Sequence, residues 1–149
     1  MSSMDPGRSA EIYTQSVELE FDRSAIERLQ QDVARELAAR DFDQSAAFAV
    51  RLAIEEAIVN GFRHGNSGDL TKTIQFDCRI DIGAIEVEVR DQGPGFNPEG
   101  VPDPTDEQNL ETPSGRGIML MRAYMSEVEY VAPGNCVRMA YRRNPLPAS

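Results

Sequence analysis

Residues 55–66 carry the most informative pattern in this chain, and they read E-E-A-I-V-N-G-F-R-H-G-N. A helix through this segment places Glu56, Asn60 and His64 on one stripe, because they are spaced at i, i+4 and i+8. Apolar side chains occupy two other faces, so the pattern predicts a helix that is buried over most of its circumference. These faces comprise Ile54, Ala57, Ile58 and Gly61 on one side and Phe48, Leu52, Val59 and Phe62 on the other.

The polar stripe on this helix needs a partner. Leaving a buried carboxylate or amide unpaired costs about 1–3 kcal/mol each. Ala49 and Ala53 are small residues on the same stripe and are expected to leave room beside it. We take a magnesium–nucleotide complex as the working hypothesis for that partner.

The composition limits the class of protein. A length of 149 residues fits one domain with its own core. The formal charge of −10 argues against a nucleic-acid partner, because no basic surface is evident. The polar N-terminus has no signal-peptide core, and no apolar run is long enough to span a membrane. We therefore expect a soluble, bacterial-type cytoplasmic protein.

The cysteines and the single histidine give little indication of a metal site or a disulfide. Cys78 and Cys136 form no C-x-x-C pair, and a single histidine provides no zinc constellation. Two thiols in apolar surroundings favour a reducing compartment, although the sequence leaves one long-range disulfide open.

The first half of the chain predicts one strand and two helices. Residues 1–10 are expected to form a flexible tail, and apolar residues alternate through a strand at 12–21. Asp22 or Ser24 is expected to cap a helix running to about Arg40. Asp43 or Ser45 is expected to cap the long helix, and Gly65 to close it in the left-handed conformation.

The second half predicts mostly strands. A turn is expected at 66–69, and strands at 74–80 and 85–89 are expected to form a hairpin. A short helix at 117–125 and two strands at 128–131 and 136–141, joined by a turn at 133–135, are expected to follow. Residues 11–142 would form the domain and 143–149 a flexible tail. Helices segregated from strands predict an α+β fold, a two-layer sandwich whose mixed, mostly antiparallel sheet carries its helices on one face.

Residues 91–96, D-Q-G-P-G-F, follow the third predicted strand. The plain interpretation is a strand that ends in a Gly-Pro turn. The functional interpretation is a carboxylate at Asp91 that accepts a hydrogen bond from an exocyclic purine amine, with Gly93 and Gly95 letting the ring approach the backbone.

Residues 114–118, S-G-R-G-I, precede a predicted helix. Two glycines at a helix N-terminus favour either an anion site or a flexible hinge. The motif is not a Walker A loop, since the only lysine is Lys72, and no G-x-G-x-x-G follows the first strand. The preceding segment, 96–114, has four prolines and five acidic residues without periodicity, so it is expected to be a functional lid or disordered.

Each polar residue of the long helix also has a plain interpretation. Glu56 could be a surface carboxylate, like Glu55, for which Arg51 at i−4 is the expected partner. Asn60 could be a satisfied core amide, and His64 could complement the helix dipole. The joint occurrence of the motifs favours the functional interpretation.

The order of these motifs resembles a known family. E-x-x-x-N on a helix, D-x-G-x-G after a strand, a long loop and G-x-G opening a helix are similar to the Bergerat nucleotide-binding fold of gyrase, Hsp90, histidine kinases and MutL. Within that superfamily, the helix reading E-A-x-x-N-x-x-x-H-G resembles the anti-sigma-factor serine kinases. The resemblance covers residues from about Ile12 to Tyr141.

The resemblance implies roles for the matching residues. Asn60 would coordinate Mg²⁺, and Glu56 would be the general base. Asp91 would accept from adenine N6 in a pocket shaped by Gly93 and Gly95. The remaining residues expected at the ATP site are His64, with Gly115, Arg116, Gly117 and Ile118 at the phosphates, under a lid formed by 96–114.

The resemblance also implies an activity. It predicts an ATP-dependent serine/threonine kinase that phosphorylates an anti-anti-sigma (STAS-like) protein and sequesters a sigma factor, with a homodimer as a possible assembly. Family members often carry a basic residue before the second glycine motif, where this chain has Pro113 and Ser114. The alternatives are therefore a non-catalytic nucleotide-dependent switch, or the catalytic domain of a split histidine kinase.

Overall fold

The computed structural model describes residues 11–93, 123–131 and 135–143. In these ranges the chain forms five strands, two α-helices and one π-helical turn. In chain order they are β1 (Tyr13–Leu19), α1 (Arg23–Ala39), α2 (Gln44–Asn60), the π-helical turn (Gly61–Gly65), β2 (Ile74–Ile80), β3 (Ala84–Arg90), β4 (Glu127–Val131) and β5 (Cys136–Arg142).

The five strands form one sheet in the order β1-β2-β3-β5-β4, and each of its four pairings is antiparallel. Phe76 lies opposite Val89, and Val89 lies opposite Val137, so apolar side chains share one face of the sheet. The buried core joins that face to α1 and α2. The predicted α+β two-layer sandwich is confirmed, including the hairpin of β2 and β3.

Aspartates begin both helices. The Asp22 side chain accepts a hydrogen bond from the Ser24 amide, and the Asp43 side chain accepts one from the Ala46 amide. These bonds satisfy amides that the first turn of a helix leaves without intrahelical partners. Of the two capping residues that the sequence left open for each helix, the aspartate is therefore the one used.

Ion pairs connect α1 to α2. Arg23 Nη1 lies 3.0 Å from Glu55 Oε2, and Arg51 Nη2 lies 2.7 Å from Glu27 Oε1. The expectation that Glu55 pairs with Arg51 along the helix was wrong. Each of these residues instead finds a partner on the neighbouring helix, which packs close enough to compete with the i−4 position.

Helix α2 is buried on one side only. Ile54 and Ile58 are fully buried, whereas Phe48 is 60% exposed and Val59 is half-buried. The prediction of burial over most of the circumference was therefore too broad, because a two-layer sandwich covers a helix from one side. Ala49 and Ala53, the small residues of the polar stripe, are both buried.

The C-terminal end of α2 differs from the predicted left-handed cap at Gly65. The helix widens into the π-helical turn, in which the Asn66 amide donates to the Gly61 carbonyl at 2.8 Å. The left-handed conformations come later, at Ser67 (φ 54°) and Gly68 (φ 72°). Gly65 is therefore required for a different reason, given below.

Several predictions fall outside the described residues. These are the lid at 96–114, the second glycine motif at 115–118, Gly95, most of the helix at 117–125, and the terminal segments 1–10 and 144–149. Within the described ranges, no helix has the length and apolar character needed to cross a membrane. Cys78 and Cys136 are both buried and free, so the disulfide left open by the sequence does not form.

Candidate nucleotide-binding site

Glu56 lies on the last two turns of α2 and is half-buried. Burial raises the pKa of this carboxyl above its usual range, and the neighbouring charge of Glu55 raises it further, while Arg63 lowers it. A carboxylate that is partly desolvated binds a proton more readily than one in water. Glu56 is therefore a stronger proton acceptor than a carboxylate in water.

Asn60 lies one turn further along the same stripe. Its Nδ2 atom is buried and has no hydrogen-bond partner among the described residues. A buried polar atom without a partner costs about 1–3 kcal/mol, so native proteins retain few of them. The amide nitrogen can therefore donate to a ligand, and the Asn60 side chain is not fully satisfied by the part of the chain that the structure describes.

His64 belongs to the π-helical turn and is exposed. Hydrogen bonds in such a turn run over five residues, so the 3.6-residue spacing that aligns Glu56 with Asn60 does not extend to His64. Desolvation lowers the pKa of the imidazole, and the charge of Arg63 lowers it further. A neutral ring at this position interacts little with the helix dipole.

Asp91 follows the last residue of β3 and is half-buried. Its Oδ1 atom accepts a hydrogen bond of 2.8 Å from the Gly93 amide. Burial raises the pKa of the carboxyl, although the bond from Gly93 and the charges of Arg90 and Lys72 oppose the shift. The first glycine of the D-x-G motif therefore orients the carboxylate.

Gly65 and Gly93 bring the helix end and this loop into direct contact. A Cβ atom at Gly65 would overlap the Asp91 carboxylate, and a Cβ atom at Gly93 would overlap the Gly65 carbonyl. The Cβ position of Gly61, the residue after Asn60, lies 3.7 Å from Asp91 Cβ. The two motifs that the sequence separates by some 25 residues therefore meet at this contact, as the nucleotide hypothesis requires.

Two asparagines that no sequence motif singles out support the contact. Asn66 is only 1% exposed, and its Oδ1 atom accepts the Gln92 amide at 2.7 Å. The Asn135 carbonyl accepts the Asp91 amide at 2.8 Å. Both asparagines lie in segments predicted as turns, where such residues are usually exposed, so composition alone does not distinguish them.

The described residues include no group of three or more His, Cys, Asp or Glu side chains that could hold a metal ion. A nucleotide-bound Mg²⁺ ion needs few protein ligands, since phosphate oxygens and waters complete its octahedron. The side-chain oxygen of Asn60 is a ligand of the type that Mg²⁺ takes, whereas its unpartnered Nδ2 atom is a donor and cannot coordinate the ion. The other predicted contacts, Gly95, Gly115, Arg116, Gly117 and Ile118, lie outside the part of the chain that the structure describes.

Comparison with known families agrees with this arrangement. The profile of the histidine kinase-like ATPase domain matches residues 19–141, which is most of the chain. The chain therefore belongs to the histidine kinase-like ATPase domain family. Membership of an ATPase family implies that ATP is the nucleotide for which the site is built.

The chain is also similar in sequence to individual anti-sigma factors. The chain is 31% identical over 86 residues to the anti-sigma F factor of Halalkalibacterium halodurans, covering 56% of this chain and 58% of that protein. It is 27% identical over 103 residues to the anti-sigma F factors of Bacillus thuringiensis and Bacillus mycoides, covering 67% of this chain and 70% of each relative. The predicted resemblance to anti-sigma-factor kinases is confirmed, over somewhat more than half of the first relative's length.

Proposed function

We propose that this protein is an ATP-dependent serine/threonine kinase that phosphorylates an anti-anti-sigma (STAS-like) protein and, in a separate complex, sequesters a sigma factor. The observation that carries the proposal is the contact of Gly65 with Asp91 at the end of the helix that carries Asn60, whose Nδ2 atom has no partner among the described residues. Family membership and the similarity to anti-sigma F factors support the same activity. The site of action would be the bacterial cytoplasm.

Recognition of the base is assigned to Asp91. Its Oδ1 atom is oriented by Gly93, so the carboxylate is held in place before a nucleotide arrives. A fixed carboxylate acceptor favours a purine with an exocyclic amine, because hydrogen bonds to charged groups are stronger than neutral ones. Adenine has that amine and guanine presents a carbonyl oxygen at the same position.

The metal and the acceptor hydroxyl are assigned to α2. Asn60 would hold Mg²⁺ through its side-chain oxygen, and the bound ion would neutralise charge on the phosphates. Glu56, one turn earlier, would accept the proton of the attacking serine or threonine hydroxyl. Positioning and charge neutralisation account for most of the catalysis of phosphoryl transfer, so one carboxylate and one amide are sufficient protein groups at this end of the site.

The remaining contacts stay predictions. Gly95 would complete the adenine pocket, and His64, Arg116 and Ile118 would line the site. Backbone amides of Gly115 and Gly117 would bind the phosphates, with residues 96–114 as the lid. A homodimer is the assembly that the family resemblance suggests.

Phosphoryl transfer with matched variants tests the proposal. Purified protein, Mg-ATP and a STAS-like antagonist encoded beside it should yield phosphoserine or phosphothreonine on the antagonist. Glu56→Gln should reduce transfer by at least about 100-fold while leaving ATP affinity nearly unchanged, because the amide keeps the shape but cannot take the proton. Transfer by Glu56→Gln at the wild-type rate would remove Glu56 from this role.

A second candidate is a binding switch that holds ATP without transferring its phosphate. Pro113 and Ser114 favour it, since they stand where family members often carry a basic residue. Retained ATP affinity with no transfer to any antagonist would support the switch. Phosphohistidine on a separate partner would instead indicate a split histidine kinase, because the only histidine here lies in the π-helical turn.

A further inference from the structure

Three residues form a closed ring of hydrogen bonds beside the site. Asn66 Nδ2 donates to the Thr73 carbonyl at 3.1 Å, and Asn66 Oδ1 accepts from the Gln92 amide at 2.7 Å. Gln92 Oε1 then accepts from the Thr73 amide at 2.6 Å. We call Asn66, Thr73 and Gln92 the amide ring.

The amide ring joins three segments that are distant in sequence. Asn66 ends the π-helical turn that follows α2, Thr73 precedes β2, and Gln92 stands between Asp91 and Gly93. Asn66 is buried and uses backbone atoms as both of its side-chain partners. Its position is therefore set by the course of the chain and does not depend on which side chains surround it.

The chemistry of the ring requires an amide at position 66. One end of the side chain must donate to a carbonyl while the other accepts from an N–H group, and a carboxamide alone among side chains of this size does both. An aspartate would keep the acceptor for Gln92 but would place an oxygen against the Thr73 carbonyl. An alanine would leave both backbone partners unpaired.

The amide ring sets the distance between the Asp91 carboxylate and the C-terminal end of α2. Gly65, next to Asn66, has no room for a Cβ because the Asp91 carboxylate lies against it. Gln92, held by Asn66, follows Asp91 directly. Fixing Asn66 to Gln92 therefore fixes the Asp91 carboxylate relative to the end of the helix that carries Asn60.

We infer that Asn66 is a positioning residue that clamps the Asp91 loop to the end of α2, so that recognition of the purine amine depends on it. The inference rests on the proposed function, in which Asp91 contacts adenine. Asn66 does not contact the nucleotide in this account, and it acts through Gln92 and Asp91. Loss of the clamp lets the carboxylate move away from its oriented position, while the phosphate end of the site retains its own contacts.

The ratio of ATP affinity to ITP affinity measures this effect. Inosine has a carbonyl oxygen where adenine has its amine, so the ratio isolates the contact with Asp91. The wild-type protein, with Mg²⁺ present, should bind ATP at least about tenfold more tightly than ITP, the factor expected for one charge-assisted hydrogen bond. Asn66→Ala should bring the ratio close to one, mainly through weaker ATP binding, and Asn66→Asp should give an intermediate ratio.

A matched control separates positioning from general loss of stability. Asp43→Ala removes the N-terminal cap of α2, at the hydrogen bond to the Ala46 amide, at the opposite end of that helix from the amide ring. This variant should lower the melting temperature and leave the ATP to ITP ratio unchanged. All affinities are measured by calorimetry at a temperature where circular dichroism shows each variant folded.

The outcomes distinguish the inference from the proposed function. A wild-type ratio well above one that persists in Asn66→Ala would overturn the inference and leave the proposed function intact. A wild-type protein that binds neither nucleotide, or both equally, would overturn the adenine contact and the inference with it. If Asn66→Ala does not fold, Gln92→Ala tests the inference instead. It removes the hydrogen bond to the Thr73 amide and should lower the ratio of ATP to ITP affinity by a smaller factor.

Discussion

Polar side chains find partners on the outer face of the sheet, which is the face away from α1 and α2. At the contact between α2 and the Asp91 loop, they do so only in part. On the outer face, Arg142 pairs with Glu127 at 2.7 Å and with Glu86 at 3.3 Å, and Arg138 pairs with Glu88 at 3.5 Å. Glu88 is half-buried, the other groups are exposed, and all of them pair with one another. At the contact, a buried Asn60 atom has no partner among the described residues.

The titration behaviour of the two regions follows the same division. The hydrogen bond and charge of Arg142 lower the pKa of Glu127, whereas burial raises the pKa of Asp91 and of Glu56. The charged groups on the outer face stabilise one another and need no ligand. A region that keeps carboxyl groups and an amide at a cost in stability is a candidate ligand site.

The largest effect is expected from Gly65→Ala. The new Cβ would overlap the Asp91 carboxylate, which can move because it is the end of a side chain. The domain should therefore fold, with a loss of about 1–3 kcal/mol in unfolding free energy, while ATP affinity falls by at least about 100-fold. Calorimetric titration with Mg-ATP and urea denaturation measure the two quantities.

Gly68→Ala is the matched control for this variant. Gly68 has a φ of 72° and no other atom near its Cβ position, so the alanine is strained but meets nothing. It should cost about 1–2 kcal/mol of stability and leave ATP affinity unchanged. Equal affinity losses in the two variants would show that Gly65 matters only for folding.

Asp91→Asn should weaken ATP binding by an intermediate factor and should increase stability at neutral pH. ATP affinity should fall about tenfold, because a charged acceptor is lost. Since burial raises the pKa of Asp91 above its ordinary 3.8, its ionisation opposes folding at neutral pH. The variant should therefore be more stable than the wild type at pH 7.

The pH dependence of that gain is the check. Asp91 carries a proton in both the folded and the unfolded state at low pH, so the part of the stability difference that comes from its ionisation should disappear below about pH 3. Denaturant unfolding at a series of pH values measures it. A variant that is less stable than the wild type at pH 7 would contradict the assignment of burial as the dominant influence on Asp91.

The smallest effect is expected from Arg142→Gln on the outer face. The substitution removes ion pairs with Glu86 and Glu127, which are solvent-exposed and therefore contribute little. ATP affinity and phosphoryl transfer should not change, and the small loss of stability should diminish further at high salt. A large loss of activity would mean that the outer face takes part in the function.

The sequence was most informative where periodicity and packing coincide. Alternation at β2 and β3 and the helical repeat in α1 predicted the elements, because each buries one face against a common core. The E-x-x-x-N and D-x-G motifs predicted the two halves of the site. The contact between them depends on Gly65 and Gly93, whose spatial proximity no local pattern encodes.

The errors have physical causes as well. The widening of α2 into a π-helical turn moves the left-handed residues from Gly65 to Ser67 and Gly68, and no propensity distinguishes a π-helical end from an ordinary cap. The turn predicted at 66–69 forms, since the Asp69 amide donates to the Asn66 carbonyl at 3.0 Å, but composition does not predict that contacts with Thr73 and Gln92 bury the Asn66 side chain. Both differences lie where the end of α2 meets the Asp91 loop.

The two free cysteines give the fold a native set of chemical reporters. Cys78 lies on the helix-covered face of β2 opposite Val87, and Cys136 lies on β5 opposite Arg90, on the other face of the sheet. Burial is the main cause that raises the pKa of each thiol to about 12, so neither is a thiolate at neutral pH. Alkylation rates at these two positions therefore report how often each side of the sheet opens to solvent, and saturating nucleotide should slow whichever opening event separates the helices from the strands.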